Sequence, residues 1–198
     1  IEFASYDDGS WLGSLTTLSK TEGYWIKLDN EDTITLDAYP NDAVLVYDLH
    51  LGANLISFPS VEPYTIGDVL PSNTEGIIYA ILGENNAAFY DGNQWTGALT
   101  FFEGFKGYWF KSYEDIEFSF DIPEDALSLS SVDTIKPVLD DYQYNISTKR
   151  AFYFVKSIPS ASVGDWIVAM YHDEVVGTRQ WNGKMVDIPV MGDDHDFY

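Results

Sequence analysis

Trp95-Thr96-Gly97-Ala98-Leu99-Thr100, followed shortly by Gly107-Tyr108-Trp109-Phe110-Lys111, decides how the chain is read, because the same pattern has already occurred once. Trp11, Gly13, Leu15, Thr16, Gly23, Tyr24, Trp25 and Lys27 stand in the same order, 84 positions earlier and without a gap. Asp7 with Asp91 and Asp37 with Asp121 extend the match to residues 7–40 and 91–124, while Ala4 with Ala88 and Tyr6 with Tyr90 lead into it. Composition alone rarely repeats Trp, Gly and Tyr in fixed order. The chain therefore carries an internal duplication, and the fold is argued from the repeat.

Around this stretch the pattern is one of short strands separated by turn residues. Asp7-Asp8-Gly9 and Asp91-Gly92-Asn93 have the chemistry of hairpin turns, since Gly and Asn tolerate positive φ. Successive strand side chains point to opposite faces. Tyr24, Ile26 and Leu28 thus share one face and Trp25 and Lys27 the other; Tyr108 and Phe110 likewise oppose Trp109 and Lys111, with the Trp-Lys face the wetter. The last strand of each copy, 33–37 and 117–121, is expected to turn Ile34 and Leu36, or Phe118 and Phe120, inward. The second copy is preceded by segments without a counterpart in the first. Val44 to Tyr47 and Asn54 to Phe58 read as strands. Thr65 to Pro71 allows about one or two helical turns, and the all-apolar Ile77 to Leu82 reads as a strand covered on both faces. The chain is expected to open inside a repeat, its earlier strands belonging to a longer polypeptide or to a neighbour. Residues 1–43 should then pack against a neighbouring subunit's strand or against residues 44–125.

Beyond residue 126 the repeat register is lost. Ser128, Ser130, Ser131 and Asp133 form a polar connection closed by Pro137, which places a module boundary near 124–130. Residues 151–155, 166–171, 174–177 and 188–191 are the strands expected after it. Asn54-Leu55-Ile56-Ser57-Phe58-Pro59, Gly83-Glu84, Trp95-Thr96-Gly97-Ala98-Leu99 and Gly107-Tyr108-Trp109 together resemble the aromatic-rich repeats of large secreted multidomain surface proteins of bacteria, many of them marine. Gly164-Asp165-Trp166-Ile167-Val168-Ala169, with Val176 to Trp181 and Ile188 to Asp194, is similar to a module that often follows those repeats. The resemblance implies an exported β protein used for attachment, assembly or ligand binding.

The totals narrow the classes of function. At 198 residues the chain suits one large or two small domains. It has 32 acids against 10 Lys and Arg, a net charge of −22. Such a field repels nucleic acid and anionic lipid, whose binding needs clustered cations. Absence of cysteine excludes thiol catalysis, disulfides and thiolate metal sites. No apolar run approaches the roughly 18 residues of a membrane helix. No Gly-x-Ser-x-Gly elbow, phosphate loop or His-Glu-x-x-His is present. His50, His172 and His195 stand each alone in its segment, so a non-enzymatic protein is expected.

Two constellations remain. Trp25 beside Lys27, and Trp109 beside Lys111, offer flat rings on which a sugar face can stack next to a polar group; the competing role for such rings is core packing. Asp193, Asp194 and Asp196, with Asp187 nearby, supply the carboxylate oxygens that Ca²⁺ takes, although the EF-hand's internal Gly and closing Glu are missing; a solvated turn is the plainer alternative. The expected architecture is all-β: an incomplete repeat at 1–43, a complete repeat at 44–125 and a β-sandwich-like module at 126–198. The expected function is a secreted cell-surface or filament-forming protein acting in assembly or adhesion through strand edges and aromatic faces, by self-association or with other surface proteins. A carbohydrate-binding module, with polysaccharide as partner, is the alternative.

Overall fold

A computed structural model describes residues 2–28, 30, 44–123, 142–145, 147 and 149–193. The chain is all-β, with short antiparallel pairs around one five-stranded sheet. β1 (Ala4–Asp7) and β2 (Ser10–Gly13) form the first hairpin. The sequence predicted that residues 23–28 would continue as a strand. They do not; only a single bridge joins Glu22 to Ile56. A strand needs a partner for its ladder, and among the described residues none lies along this segment beyond its first positions.

The central unit follows. β3 (Tyr47–Leu49) starts later than the sequence suggested, and β4 (Gly52–Ser57) ends before Pro59. β5 (Tyr64–Thr65) leads into the one-turn helix α1 (Ile66–Val69), and a 3-10 turn (Ser72–Thr74) comes after Pro71. β6 (Ile78–Leu82), β7 (Ala87–Tyr90), β8 (Trp95–Gly97), β9 (Phe101–Phe102), β10 (Gly107–Ser112) and β11 (Ile116–Phe118) complete it. The sheet order is β4-β10-β6-β7-β8, with β11 paired to β3 and β5 to β9. The expected alternation holds along β10. Tyr108, Phe110 and Ser112 are buried, whereas Trp109 and Lys111 are half-buried on the opposite face. The core gathers Tyr47, Phe58, Phe102, Phe110, Phe118 and Phe120, with Ile66, Ile78 and Ile81 filling between the rings. Phe102 lies stacked on Phe58 at 5.1 Å and edge-on to Tyr108 at 5.0 Å, the tilted and offset geometries that ring quadrupoles favour.

β12 (Arg150–Val155), β13 (Trp166–Tyr171), β14 (Glu174–Gln180) and β15 (Val186–Met191) build the last module as two ribbons, β12-β15 and β13-β14. Gly177 lets the ribbons meet, because a Cβ there would fall 1.6 Å from the Pro189 carbonyl oxygen. The expected strand over 33–37 and the expected boundary at 124–130 lie outside the described residues.

The duplication is visible in the backbone. Ala4 faces Gly13 and Tyr6 faces Trp11 in the first hairpin, as Ala88 faces Gly97 and Tyr90 faces Trp95 in the second. The Leu15 N–H donates to the Phe3 carbonyl at 3.0 Å, and the Leu99 N–H to the Ala87 carbonyl at 3.0 Å. The Tyr24 hydroxyl accepts from the Ser19 N–H at 2.7 Å, as Tyr108 does from Glu103. Gly13 and Gly97 share φ near +140° (139° and 144°), and a Cβ on either would fall about 2 Å (2.1 and 2.2 Å) from the oxygen of Phe3 or Ala87. The turns differ. Asp8 and Gly9 are both at positive φ, as a type I′ turn requires, whereas only Gly92 is positive in the second hairpin.

Candidate functional site

The strongest constellation is the junction between the complete repeat and the last module, and it centres on Asp187. This carboxylate is fully buried within β15, between Val186 and Ile188. One oxygen accepts the Ala87 N–H at 3.0 Å and the other accepts the Ala98 N–H, so β7 and the end of β8 are gripped from across the junction. The positive φ of Gly97 turns the Ala98 N–H to the side from which Ala87 also donates. The Arg179 guanidinium lies 2.8 Å from Asp187 and also donates to the Asn85 carbonyl. Arg150 donates to the Glu84 carbonyl and lies 4.4 Å over the Trp25 ring, which ties all three segments of the chain together. Burial pushes the Asp187 carboxyl above the ordinary carboxylate range, opposed by Arg179 and by the Ala98 and Ala87 N–H groups.

This geometry changes the part played by one residue expected to ligate metal. Both Asp187 oxygens are engaged by donors, and the group is closed to solvent. Asp193 is exposed, and Asp194 and Asp196 lie outside the described residues. Among the described residues no three His, Cys, Asp or Glu side chains converge as a metal group would need.

The two Trp-Lys pairs occupy unlike settings. Trp25 is 44% exposed under Arg150, and Lys27 is exposed. Trp109 is half-buried in mid-sheet, between Leu55 of β4 and Leu82 of β6, and Lys111 lies between Ala53 and Ala80. The two Gly-Tyr-Trp segments do meet at their glycines. The Gly23 N–H donates to the Leu55 carbonyl at 3.0 Å, and the Ser57 N–H to the Thr21 carbonyl at 3.2 Å, which seats residues 21–23 on the outer edge of β4. Packing of the first copy against residues 44–125 is therefore realised at this edge.

Elsewhere the first copy is open. Leu18 and Ile26 are 74% and 66% exposed, whereas their counterparts Phe102 and Phe110 are fully buried. Phe3 is 63% exposed where Ala87 is 1%. The second copy owes its burial to β4, α1 and β6. Between β7 and β10 it holds β6, in a register that sets Ile81 against Ala88 and Phe110 and Leu82 against Ala87 and Trp109. Among the described residues β1 pairs with β2 alone.

A second feature belongs to the complete copy. α1 and the 3-10 turn stand opposite the β7–β8 hairpin and leave a groove of about 350 Å³ lined by Glu75, Tyr90, Asn93, Gln94, Trp95 and Thr100. The hairpin turn is stiffened by Asp91, whose carboxylate accepts the Asn93 and Gln94 N–H groups at 2.9 Å each. Those bonds, Gln94 first, hold the Asp91 carboxyl below its usual range.

Sequence reasoning missed Asp187 as a clamp, with Arg179 and Arg150 beside it. One signal was present: an acid inside the apolar run Met185 to Met191 is a charge that burial tolerates only when paired. No protein-family model matches the chain, and searches of curated proteins and of solved structures return no match.

Proposed function

We propose that this is a non-enzymatic, exported surface or filament-forming protein whose assembly runs through the open first copy. The observation that carries the reading is the burial contrast: Leu18, Ile26 and Phe3 are exposed where Phe102, Phe110 and Ala87 are closed. Exposed apolar side chains beside β1, whose second edge is unpaired among the described residues, invite an added strand, which contributes main-chain hydrogen bonds and burial together.

The repeat also specifies the guest. By the register of β6, a strand entering between β1 and residues 25–27 sets a leucine between Phe3 and Trp25, an isoleucine between Ala4 and Ile26, and an alanine between Ser5 and Lys27. Among the described residues two acceptor halves share one donor half, residues 44–86. The guest is a strand of the Ile78–Leu82 pattern.

The test is titration of the full chain with a lysine-flanked peptide of the sequence Gly76 to Gly83. Saturable 1:1 binding is expected, lost on Ile26→Asp and lost when the peptide's Ile81 equivalent is replaced by aspartate. Absence of binding, or binding indifferent to both changes, would overturn the reading.

A further inference from the structure

The geometry points to a neutral-saccharide site in the groove between α1 and the β7–β8 hairpin of the complete copy, away from Trp25 and Trp109. Three features converge there. The groove, at about 350 Å³, falls within the ~300–1,000 Å³ of small-molecule sites and is walled on two sides. One wall presents Tyr90 and Trp95, whose rings lie 5.5 Å apart and tilted by 56°. The same pair in the first hairpin, Tyr6 and Trp11, lies 5.3 Å apart and tilted by 60°. The hairpin itself therefore sets the ring pair, and no ligand is needed to organise it, which lowers the ordering cost of binding.

Hydroxyl-matching groups surround the rings. Asn93 and Gln94 bring amides that both donate and accept, on a turn already fixed by Asp91. Glu75 accepts from the Tyr90 hydroxyl at 3.3 Å, long for an O–H donor and readily exchanged for a ligand hydroxyl. Thr65 and Thr100 hydroxyls border the same space. An apolar ring face beside alternating donors and acceptors matches a pyranose, with its C–H face and vicinal hydroxyls. Among the described residues the lining has one acid, Glu75, and no cation, and the chain's strong negative field adds to it, so uronic or sulfated sugars are disfavoured.

The first hairpin is a built-in control. Its Tyr6 and Trp11 are 62% and 71% exposed, and among the described residues nothing equivalent to α1 and the 3-10 turn stands over them. Rings alone should not suffice; the wall and the amides make the site.

Affinity electrophoresis of the full chain through gels containing laminarin, hydroxyethylcellulose or galactomannan, with alginate as the anionic comparison, tests this. Retardation is expected in at least one neutral gel and not in alginate. Trp95→Ala should weaken it by about tenfold or more, as loss of a buried aromatic anchor does, and Trp11→Ala should leave it unchanged. Because Trp95 also packs on the core, the Asn93→Ala/Gln94→Ala variant, which touches only the turn surface, decides the matter if Trp95→Ala unfolds. It should reduce retardation several-fold with the melting temperature retained. No retardation in any neutral gel, equal retardation in alginate, or retardation insensitive to the Asn93/Gln94 variant would overturn the inference. Peptide uptake by the first copy is read separately, so failure here leaves the assembly reading standing, and the reverse.

Discussion

Two hairpins that share Ala, Tyr, Asp, Trp and Gly positions, strand register and a closing hydrogen bond have opposite surroundings. In the complete copy, Phe102 and Phe110 sit inside a cluster of aromatic rings, and β7 is hydrogen-bonded on both edges. In the open copy, Leu18 and Ile26 face solvent, and β1 is paired on one edge alone among the described residues. What differs is the covering half, residues 44–86. The comparison teaches that Trp, Gly and Tyr spacing is enough to shape the hairpin, while stability comes from what is laid over it. A two-stranded ribbon is marginal by itself in water, and burying one face supplies the missing free energy.

The largest effect expected from this contrast comes from truncating equivalent side chains. Phe110→Ala should cost about 3–5 kcal/mol in urea unfolding, the range for a buried aromatic. Ile26→Ala at the matching exposed position should stay within about 0.5 kcal/mol. Equal losses would show that the two copies are buried alike. Next comes the clamp. Asp187→Ala leaves Arg179 and two backbone N–H groups without their acceptor. Because Arg179 keeps some solvent contact, the lower end of the range for a broken buried pair applies, about 3 kcal/mol. Limited proteolysis should then release the last module from the repeat, whereas Ser14, at the position matching Ala98, should tolerate alanine.

A smaller difference separates the glycines. Gly97→Ala forces a side chain onto the Ala87 carbonyl at positive φ and should lower stability by about 2 kcal/mol. Gly13→Ala meets the same local clash. It should scarcely move the main unfolding transition, because the first hairpin adds little to it, but it should abolish uptake of the guest strand. The smallest effect is alkaline. Burial pushes the Tyr47 phenol up to about 12 and Tyr108 higher still. A raised folded-state value means that stability is intact below the unfolded value near 10 and is lost as pH rises towards 12. The complete copy should unfold across that window, with Tyr47→Phe shallowing the slope.

Much of the fold was legible. The duplication, the β class, a short helix of one or two turns before Pro71 and the alternation along β10 all followed from residue spacing, because local turn chemistry and strand periodicity act over a few positions. Less of the site was. The segment at 23–28 shares Gly, Tyr, Trp and Lys with β10 yet forms no strand, since a strand is a property of its neighbours as much as of its sequence. Asp187 stands in an apolar run that calls for a partner, and only the three-dimensional meeting with Ala87, Ala98 and Arg179 reveals which groups pair with it. The groove was hidden for a similar reason: Glu75 and Trp95 are distant in sequence, and the 3-10 turn brings one to the other.

Native-state hydrogen exchange at two equivalent amides tests the central contrast most directly. Leu15 and Leu99 donate the same hydrogen bond at the same length. In the free chain, Leu99 should exchange only through unfolding of the complete copy. Leu15 should exchange faster by several orders of magnitude, slowing when the guest peptide is added. Equal protection of the two amides in the free chain would contradict the division into a closed copy and an open one.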